Sequence, residues 1–334
     1  MTEIAIGLVG LGVHGKRYAA HLLRGEVPNA RLVAVSRRQA AEGIAFAREN
    51  GLSFYGDYRE LARAKEVDAV AVVTPSPVHL AMCTAVLEAG KPVLVEKPVV
   101  HTAAEGAYLA RSLSSSGRAL MVAQTLRYNK VIRGIKERLG SVGRPVRLRL
   151  AFRLPAARLF WESDRDGVPR GTILETGVHL FDAARWILGG EPARVLCTTG
   201  RIMSDVAEDF FSAELDFAAP RVCCVAEVAK CSSVRMEPVD LTGDAGHLIG
   251  DARTNELAFV GSAGREPAAL GPAAHTVCEV LSDFVAHLLR GEPMPITLED
   301  GLRAVMIAEA CFESARVGKW VRIPSSAWEE EKKG

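Results

Sequence analysis

The fold of this 334-residue chain is decided by residues 4–15, which read IAIGLVGLGVHG. The first six residues are mostly apolar and predict a buried strand, and the glycine spacing that follows is typical of a tight turn into a helix. Gly10 permits the turn, Gly12 lets backbone amides approach a pyrophosphate, and Gly15 lets the helix pack closely on the strand. Because a helix N-terminus attracts phosphate, we expect a dinucleotide here; the alternative is a strand end that binds nothing. The residues expected to hold it are Gly10, Gly12, Val13, His14 and Gly15.

A regular alternation of elements continues from this turn to about residue 123. Strands are predicted at residues 4–9, 32–35, 68–73, 92–95 and 119–123. Stretches between them carry apolar residues at helical spacing, as at 18–23, 79–87 and 104–113. Strands that alternate with helices form parallel sheets covered on both faces. We therefore predict an α/β Rossmann domain, a doubly wound parallel sheet that binds a dinucleotide, over residues 1–123.

The pattern changes after a helix predicted at 129–139. Strand-like runs are separated by Gly, Pro and Asp rather than by helices, and they lie at 146–152, 194–199, 211–217, 221–230 and 256–260. Helices are predicted at 172–188, 277–289 and 298–316, the last with Thr297 as its cap and Gly318 as its end. This predicts an α+β domain with a large, mostly antiparallel open sheet over residues 124–334, for substrate binding and oligomerisation.

Composition narrows the range of partners. The 41 lysines and arginines nearly cancel the 40 aspartates and glutamates, which favours a small-molecule substrate over nucleic acid or an anionic membrane. No apolar run reaches the ~18 residues that a membrane helix needs. The seven cysteines form no C-x-x-C pair, which fits buried thiols in a reducing cytoplasm. Because no His or Cys pairs stand at ligand spacing, we expect no metal site.

The end of the second predicted strand bears on the choice of cofactor. An acidic residue about 20 residues beyond the glycine turn would hold the ribose 2'-hydroxyl of NAD. This chain has Ser36, Arg37 and Arg38 instead. Two arginines suit a 2'-phosphate, so NADP is expected in preference to NAD. The alternatives are NAD itself and arginines that merely start a solvated helix.

A lysine stands where an open parallel sheet binds its ligands. Glu96-Lys97-Pro98 follows the apolar run 93–95, which places Lys97 at the carboxyl end of a strand. A lysine beside a nicotinamide can hold or polarise a reacting oxygen. The alternative is an ordinary surface lysine.

The helix predicted at 172–188 carries a second polar group. Glu175, His179 and Asp182 are spaced i, i+4 and i+7 and would share one face of a regular helix. Histidine titrates near neutral pH, and a neighbouring carboxylate orients it and stabilises its charged form. Gly177 leaves space that we expect to admit a ligand. The alternative for His179 is a packed histidine at a domain interface.

Several segments, taken in order, resemble the Gfo/Idh/MocA family (glucose-fructose oxidoreductase, inositol dehydrogenase and rhizopine catabolism). They are residues 10–15, TPSPVH at 74–79, EKP at 96–98, Gln124 with Arg127 and Tyr128, GTILETGVH at 171–179, and EDGLRA at 299–304 with Glu309, Ala310 and residues 313–315. The resemblance covers nearly the whole chain. It implies a Rossmann domain, an open-sheet domain, and oxidation or reduction of a carbinol or carbonyl on sugars, cyclitols and related compounds with NAD or NADP.

The resemblance also implies roles for particular residues. Lys97 and His179 are expected to face the substrate, with Glu175 where the family usually has Asp. The expected reaction is hydride transfer between C4 of the nicotinamide and a carbinol carbon. In it, His179 and Lys97 move or stabilise the hydroxyl proton and Glu175 orients them.

Further candidates line the two expected sites. The cofactor set is completed by Ser36, Arg37, Arg38, Thr74, Pro75, His79, Glu96 and Lys97, and the substrate set by Gln124, Arg127, Tyr128, Trp161 and His179. His79 has a helix-start role as its alternative, and an inter-domain contact is the alternative for Gln124, Arg127 and Tyr128. Arg153 and Arg158 hint at an acidic group on the substrate.

Three rival functions stay open. One is an NAD-dependent glycoside hydrolase that oxidises its substrate transiently. Another is a non-catalytic regulator that binds dinucleotide and sugar, and a metal enzyme is the third. A sheet with one exposed face, together with the resemblance, predicts a homo-oligomer, either a dimer or a tetramer.

Overall fold

A computed structural model describes residues 3–156 and 171–325 of the chain. These residues divide into two compact units. The first runs to Gln124 and also includes His275–Leu302; the second comprises Thr125–Ala274 and the residues from Arg303 onward. The sequence analysis predicted a single domain boundary near residue 123 and assigned residues 275–302 to the second domain. In the structure these residues belong to the first unit.

The first unit contains a six-stranded parallel sheet. Its strands are β1 Ile4–Val9, β2 Ala30–Ser36, β3 Ser53–Tyr55, β4 Ala69–Val72, β5 Val93–Glu96 and β6 Leu120–Ala123. Their order is β3-β2-β1-β4-β5-β6, and every pair is parallel. This order reverses direction beside β1, and sheets of this kind bind ligands at the carboxyl ends of the strands near such a reversal.

Helices surround this sheet. They are α1 Val13–Leu23, α2 Ala40–Asn50, α3 Tyr58–Arg63, α4 His79–Glu88, α5 Ala103–Ser116 and α8 Thr276–Arg290. All six residues of β1 are buried, as are all four of β4, β5 and β6, which is why these strands read as apolar runs without alternation. Each fully buried aliphatic side chain contributes about 1.5–3 kcal/mol.

The second unit contains a nine-stranded sheet. Its strands are β7 Pro145–Pro155, β8 Pro192–Gly200, β9 Phe210–Ala218, β10 Arg221–Ser232, β11 Pro238–Gly243, β12 His247–Asp251, β13 Glu256–Gly261, β14 Gly264–Pro267 and β15 Val321–Arg322. The order is β14-β13-β12-β11-β7-β10-β9-β8-β15. β7 and β10 pair in parallel, and the other pairs are antiparallel. Buried residues alternate with more exposed ones along β9 and β10, so one face of the sheet is covered and the other is more open.

Two helices lie within the second unit. A third begins in the residue range of the first unit and ends in that of the second. They are α6 Lys130–Glu137, α7 Val178–Leu188 and α9 Leu298–Val317. The amide of Asp300 donates to Thr297 Oγ1 at 3.2 Å, and Gly318 has φ +66°, so the predicted cap and end of α9 are confirmed.

The predicted fold class is confirmed, but some elements were not predicted. β3 has only three residues, and β11, β12, β14 and β15 are short strands without a long apolar run. The helix predicted at 172–188 is wrong at its start, because Ile173–Gly177 forms a π-helical turn before α7. A π turn holds more than 3.6 residues, and such turns occur frequently at functional sites.

Candidate functional site

The glycine turn after β1 has the geometry that a phosphate needs. Gly10 has φ +103°, and a Cβ there would lie 2.1 Å from the carbonyl oxygen of Val73. A Cβ on Gly15 would lie 2.1 Å from the carbonyl oxygen of Gly10, whereas one on Gly12 would meet nothing within 4 Å. Gly12 also caps α1 without any side-chain hydrogen bond. The helix N-terminus therefore offers backbone amides and open space to an anion.

The three residues at the end of β2 lie in different environments. Ser36 is buried, and its carbonyl accepts from the amide of Gly10 at 2.9 Å. The Arg37 guanidinium donates to the carbonyl of Leu11 at 2.6 Å and pairs with Glu42 at 2.6 Å. Arg38 is exposed. Arg37 therefore braces the glycine turn, and Arg38 is the arginine open to solvent.

Glu96 joins the glycine turn to the strand that ends at Lys97. Its side chain is buried at the end of β5, where Oε1 lies 2.8 Å from His14 Nε2 and accepts from the Tyr18 hydroxyl at 2.6 Å. The amide of Lys97 donates to Oε2 at 3.1 Å. Burial alone would raise the pKa of Glu96, but His14, the Lys97 charge and Tyr18 hold it at about 2. Glu96 is thus an ionised anchor between α1 and the Lys97 loop.

His79 fixes the same loop from the other side. The ring is fully buried, with Nδ1 2.8 Å from the carbonyl oxygen of Pro98 and Nε2 2.9 Å from that of Thr74. Burial lowers the pKa of His79. The ring therefore ties the segment after β4, which includes Pro75, to the segment after β5. This placement gives His79 a positioning role, and contact with a cofactor stays a prediction.

Gln124 ends the last strand of this sheet. Its side chain is 1% exposed, and within the described ranges Oε1 has no hydrogen-bond partner. A buried polar atom in this situation is uncommon in folded proteins and marks a place where a further group can bind.

In the second unit, Glu175 and His179 stand out by their exposure. From Gly171 to Arg185 every residue is buried except these two. Glu175 lies in the π turn, and His179 is the second residue of α7. One carboxylate and one imidazole are therefore partly exposed within the otherwise buried segment 171–185.

Asp182 does not join this pair, contrary to the shared face expected for a regular helix. Its side chain is fully buried, and its carboxylate is held by Arg127 through bonds of 2.7 and 2.6 Å. Tyr128 is also buried, with the Arg133 guanidinium 4.6 Å from its ring centre. Arg127 and Tyr128 thus pack the second unit, and substrate contact by either stays a prediction. Trp161 lies outside the described residues.

The carboxylate of Glu175 is paired with a lysine that the sequence did not single out. Lys230 of β10 donates to Glu175 Oε2, and its own side chain is only 9% exposed. Glu208 accepts from the amides of Gly171 and Ile173 at 3.0 Å, so it holds the start of the π turn. The sequence contained one signal for Lys230, which is that a charged residue interrupts the otherwise apolar end of β10.

The space at Gly177 is filled by the protein itself, which corrects the expectation that it admits a ligand. A Cβ at this position would lie 2.8 Å from Cζ of Phe211 and 3.1 Å from the Phe181 ring. The glycine is therefore required for packing of α7 against β9.

The described residues also bear on two other types of site. Residues 3–156 and 171–325 contain no group of three or more His, Cys, Asp or Glu side chains arranged to hold a metal ion. None of the helices in those ranges combines the length and hydropathy of a membrane span.

Comparison with known proteins identifies the family. Residues 4–124 match the profile "Oxidoreductase family, NAD-binding Rossmann fold", and residues 136–323 match "Oxidoreductase family, C-terminal alpha/beta domain". The chain belongs to the Gfo/Idh/MocA oxidoreductase family. The resemblance drawn from its motifs is thereby confirmed, as is its class as an NAD-binding oxidoreductase.

Related proteins align with this family member over nearly its whole length. Inositol 2-dehydrogenase 1 of Saccharopolyspora erythraea is 33% identical over 340 residues, covering 96% of this chain and 96% of that protein. D-Apiose dehydrogenase of Paraburkholderia graminis is 24% identical over 340 residues, covering 95% and 89% respectively.

Solved structures share the fold of this family member. An oxidoreductase of Agrobacterium radiobacter in complex with NAD+, L-tartaric acid and magnesium has a TM-score of 0.85 and 22% identity, covering 96% of this chain and 99% of that one. Levoglucosan dehydrogenase in complex with NADH and levoglucosan has a TM-score of 0.86 and 19% identity, covering 97% and 100%.

Proposed function

We propose that this chain is an NADP-dependent dehydrogenase or reductase that acts on a CH–OH group of a sugar, cyclitol or related small molecule. The observation that carries the proposal is the bond between His14 and Glu96. It joins the glycine turn to the strand end that bears Lys97, which supports a lysine beside a dinucleotide bound at that turn. The relatives named inositol 2-dehydrogenase and D-apiose dehydrogenase support a polyol as substrate.

The proposed cofactor site uses the backbone of residues 10–15 for the pyrophosphate. Gly12 is open and Val13 is 80% exposed, so neither obstructs a ligand at the N-terminus of α1. Arg38, which follows Ser36 and Arg37 at the end of β2, is proposed to receive the 2'-phosphate of NADP. Thr74, Pro75 and His79 are proposed to shape the nicotinamide end.

The proposed chemistry combines the cofactor with three side chains, those of Lys97, Glu175 and His179. When bound, the nicotinamide supplies hydride exchange at C4. His179 takes the hydroxyl proton during oxidation and returns it during reduction, and the Lys97 ammonium stabilises charge on the reacting oxygen. Glu175 accepts hydrogen bonds from the substrate and orients it. The proposed substrate contacts also include Gln124, Arg127, Tyr128 and Trp161.

The candidate catalytic residues also weigh against the regulator. A regulator that only binds dinucleotide and sugar has less need for a lysine and histidine pair such as Lys97 and His179. A transient-oxidation hydrolase would use the same groups, so only its product distinguishes it.

A panel assay tests the function directly. Sugars, cyclitols, their acids and their keto forms are incubated with NADP+, NADPH, NAD+ or NADH while nicotinamide absorbance is followed. We expect a change with at least one polyol and a higher kcat/KM with NADP+ than with NAD+. Glycoside cleavage without a net absorbance change would favour the hydrolase, and no turnover with any compound would contradict the dehydrogenase.

We also propose a cytoplasmic homo-oligomer, a dimer or tetramer, formed through the more open face of the nine-stranded sheet. The exposed side of β9 and β10 supports this surface, and the seven free cysteines support a reducing compartment. Light scattering should then give a multiple of the 35.9 kDa chain mass, and a monomer alone would oppose the oligomer.

A further inference from the structure

A buried lysine of the second unit has no part in the mechanism proposed above. Lys230 lies on β10 with its side chain 9% exposed, and its ammonium donates to the Glu175 carboxylate. Removing an ammonium from water is unfavourable unless an opposite charge compensates for the lost hydration. The ion pair between Lys230 and Glu175 therefore compensates the buried ammonium and is not an incidental surface contact.

The same ammonium acts on a second carboxylate. Burial raises the pKa of Glu208, and the backbone amides of Ile173 and Gly171 together with the Lys230 charge oppose that rise. Lys230 thus acts on two acidic residues, Glu175 within the π turn and Glu208, which holds the start of that turn. The cluster carries one positive charge against two carboxylates.

The two members of the pair differ in exposure, and the difference sets what a ligand meets. The Glu175 side chain is 31% exposed, whereas that of Lys230 is 9% exposed. A ligand that approaches the turn therefore meets the carboxylate, with the ammonium behind it. A carboxylate accepts hydrogen bonds from hydroxyl groups and repels an anion.

The arginine that hinted at an acidic substrate is already bonded to a carboxylate of its own unit. Arg153 donates to Glu227 at 3.1 Å, and Arg149 donates to the same carboxylate oxygen at 2.8 Å. Arg158 lies outside the described residues. Among the described residues of this unit, Arg153 is therefore bonded to Glu227, whereas the carboxylate of Glu175 is partly exposed.

We propose that Lys230 positions the Glu175 carboxylate as a hydrogen-bond acceptor for substrate hydroxyls, so that the site takes neutral polyols in preference to sugar acids. This rests on the proposed function, because it concerns the same site and specifies its substrate class. Lys230 is a positioning residue, since it acts through Glu175. Glu175 is the residue that discriminates.

Three variants test the pair with myo-inositol and D-glucose as neutral probes and D-glucuronate as the acidic probe. Wild type should favour the better neutral probe over D-glucuronate by at least about tenfold in kcat/KM. Lys230→Met should lower kcat/KM for the neutral probe by about 10- to 100-fold, mainly through KM, because charged hydrogen bonds are lost. Lys230→Arg should restore most of it. Glu175→Gln should narrow the preference by about tenfold, because the buried ammonium is then uncompensated.

A double-mutant cycle separates positioning from general structural damage. If Lys230 acts through Glu175, adding Lys230→Met to Glu175→Gln should cause much less than the single-variant loss. Lys319→Met, an exposed lysine of the same unit, is the matched control and should leave both constants unchanged. Equal losses in both backgrounds, or wild-type behaviour of Lys230→Met, would overturn the proposal.

Binding measurements distinguish this proposal from the proposed function. Calorimetric titration of the NADP+-loaded protein with the same three probes requires no turnover. Tighter binding of a neutral probe without any redox signal would retain the neutral-polyol preference and reject the dehydrogenase. Tighter binding of D-glucuronate by wild type would reject the preference whatever the redox result. Should Lys230→Met not fold, Lys230→Arg and Glu175→Gln still decide between these outcomes.

Discussion

Glu96 and Glu175 are both acidic residues of the candidate site, but they are held in opposite ways. Glu96 is 7% exposed and bonded to His14, Tyr18 and the backbone of Lys97, so its bonds are directed into its own unit. Glu175 is 31% exposed and bonded to a lysine that is more buried than it is. In the first unit, the buried carboxylate of Glu96 holds loops in place. In the second unit, the buried ammonium of Lys230 holds the partly exposed carboxylate of Glu175.

The largest effects should come from the accessible groups of the site. We expect Lys97→Met and His179→Asn each to lower kcat by about 10³-fold, because each removes a group that handles the hydroxyl proton. The free energy of unfolding should change little. Steady-state kinetics, with NADPH binding followed by fluorescence, would show lost turnover with retained cofactor affinity.

Exposed residues of the same types serve as controls for these two variants. Lys65→Met and His247→Asn alter exposed side chains of the first and second unit. Both should keep wild-type kcat. If Lys97→Met and His179→Asn also kept wild-type kcat, the proposed roles of Lys97 and His179 would be rejected.

The buried anchor should act on stability rather than on turnover alone. The pKa of Glu96 lies at about 2, against an ordinary 4.5, which corresponds to about 3 kcal/mol of native-state stabilisation at 1.36 kcal/mol per unit. Because the folded-state pKa is lowered, this stabilisation is present above about pH 4.5 and is lost as the pH falls toward about 2. Glu96→Gln should therefore be about 3 kcal/mol less stable than wild type at pH 7, and this difference should fall to about 1.5 kcal/mol at pH 3.

Urea unfolding followed by circular dichroism at pH 7 and pH 3 checks this dependence. Glu88→Gln, an exposed glutamate of the same unit, is the control and should match wild type at both values. A constant difference between Glu96→Gln and wild type across this range would mean that the carboxylate's ionisation is not what stabilises the unit.

The contrast between the two glutamates was only partly visible in the sequence. The glycine turn, the strand end of Lys97 and the parallel sheet follow from local apolar patterns, because buried parallel strands contain little else. The partners of Glu96 and Glu175 come from residues 82 and 55 positions away, at His14 and Lys230. Periodicity contains no information on such pairs.

The start of the His179 helix shows a second limit. Sequence spacing assumes 3.6 residues per turn, and the π turn at Ile173–Gly177 breaks that assumption. The expectation that Asp182 would join Glu175 and His179 failed for this reason, and because Arg127, 55 residues earlier, binds Asp182. Gly177 was misjudged because its neighbour Phe211 is distant in sequence.

The same contrast between anchored and presented charge recurs on a smaller scale at the end of β2. Arg37 is bonded to the Leu11 carbonyl and to Glu42, whereas Arg38 is exposed. We expect Arg38→Ala to weaken NADPH binding by about tenfold and to leave NADH binding unchanged, since only NADPH carries the 2'-phosphate that an exposed arginine can meet.

Fluorescence titration with both cofactors tests this last and smallest effect, with Arg48→Ala as the control because Arg48 is exposed on α2. Equal weakening of NADPH and NADH by Arg38→Ala would assign Arg38 to the shared part of the cofactor. Tighter binding of NADH than NADPH by wild type would overturn the NADP assignment. In that case Arg37 and Arg38 would both belong to the bracing of the glycine turn, and the distinction between anchored and presented charge would hold only for the two glutamates.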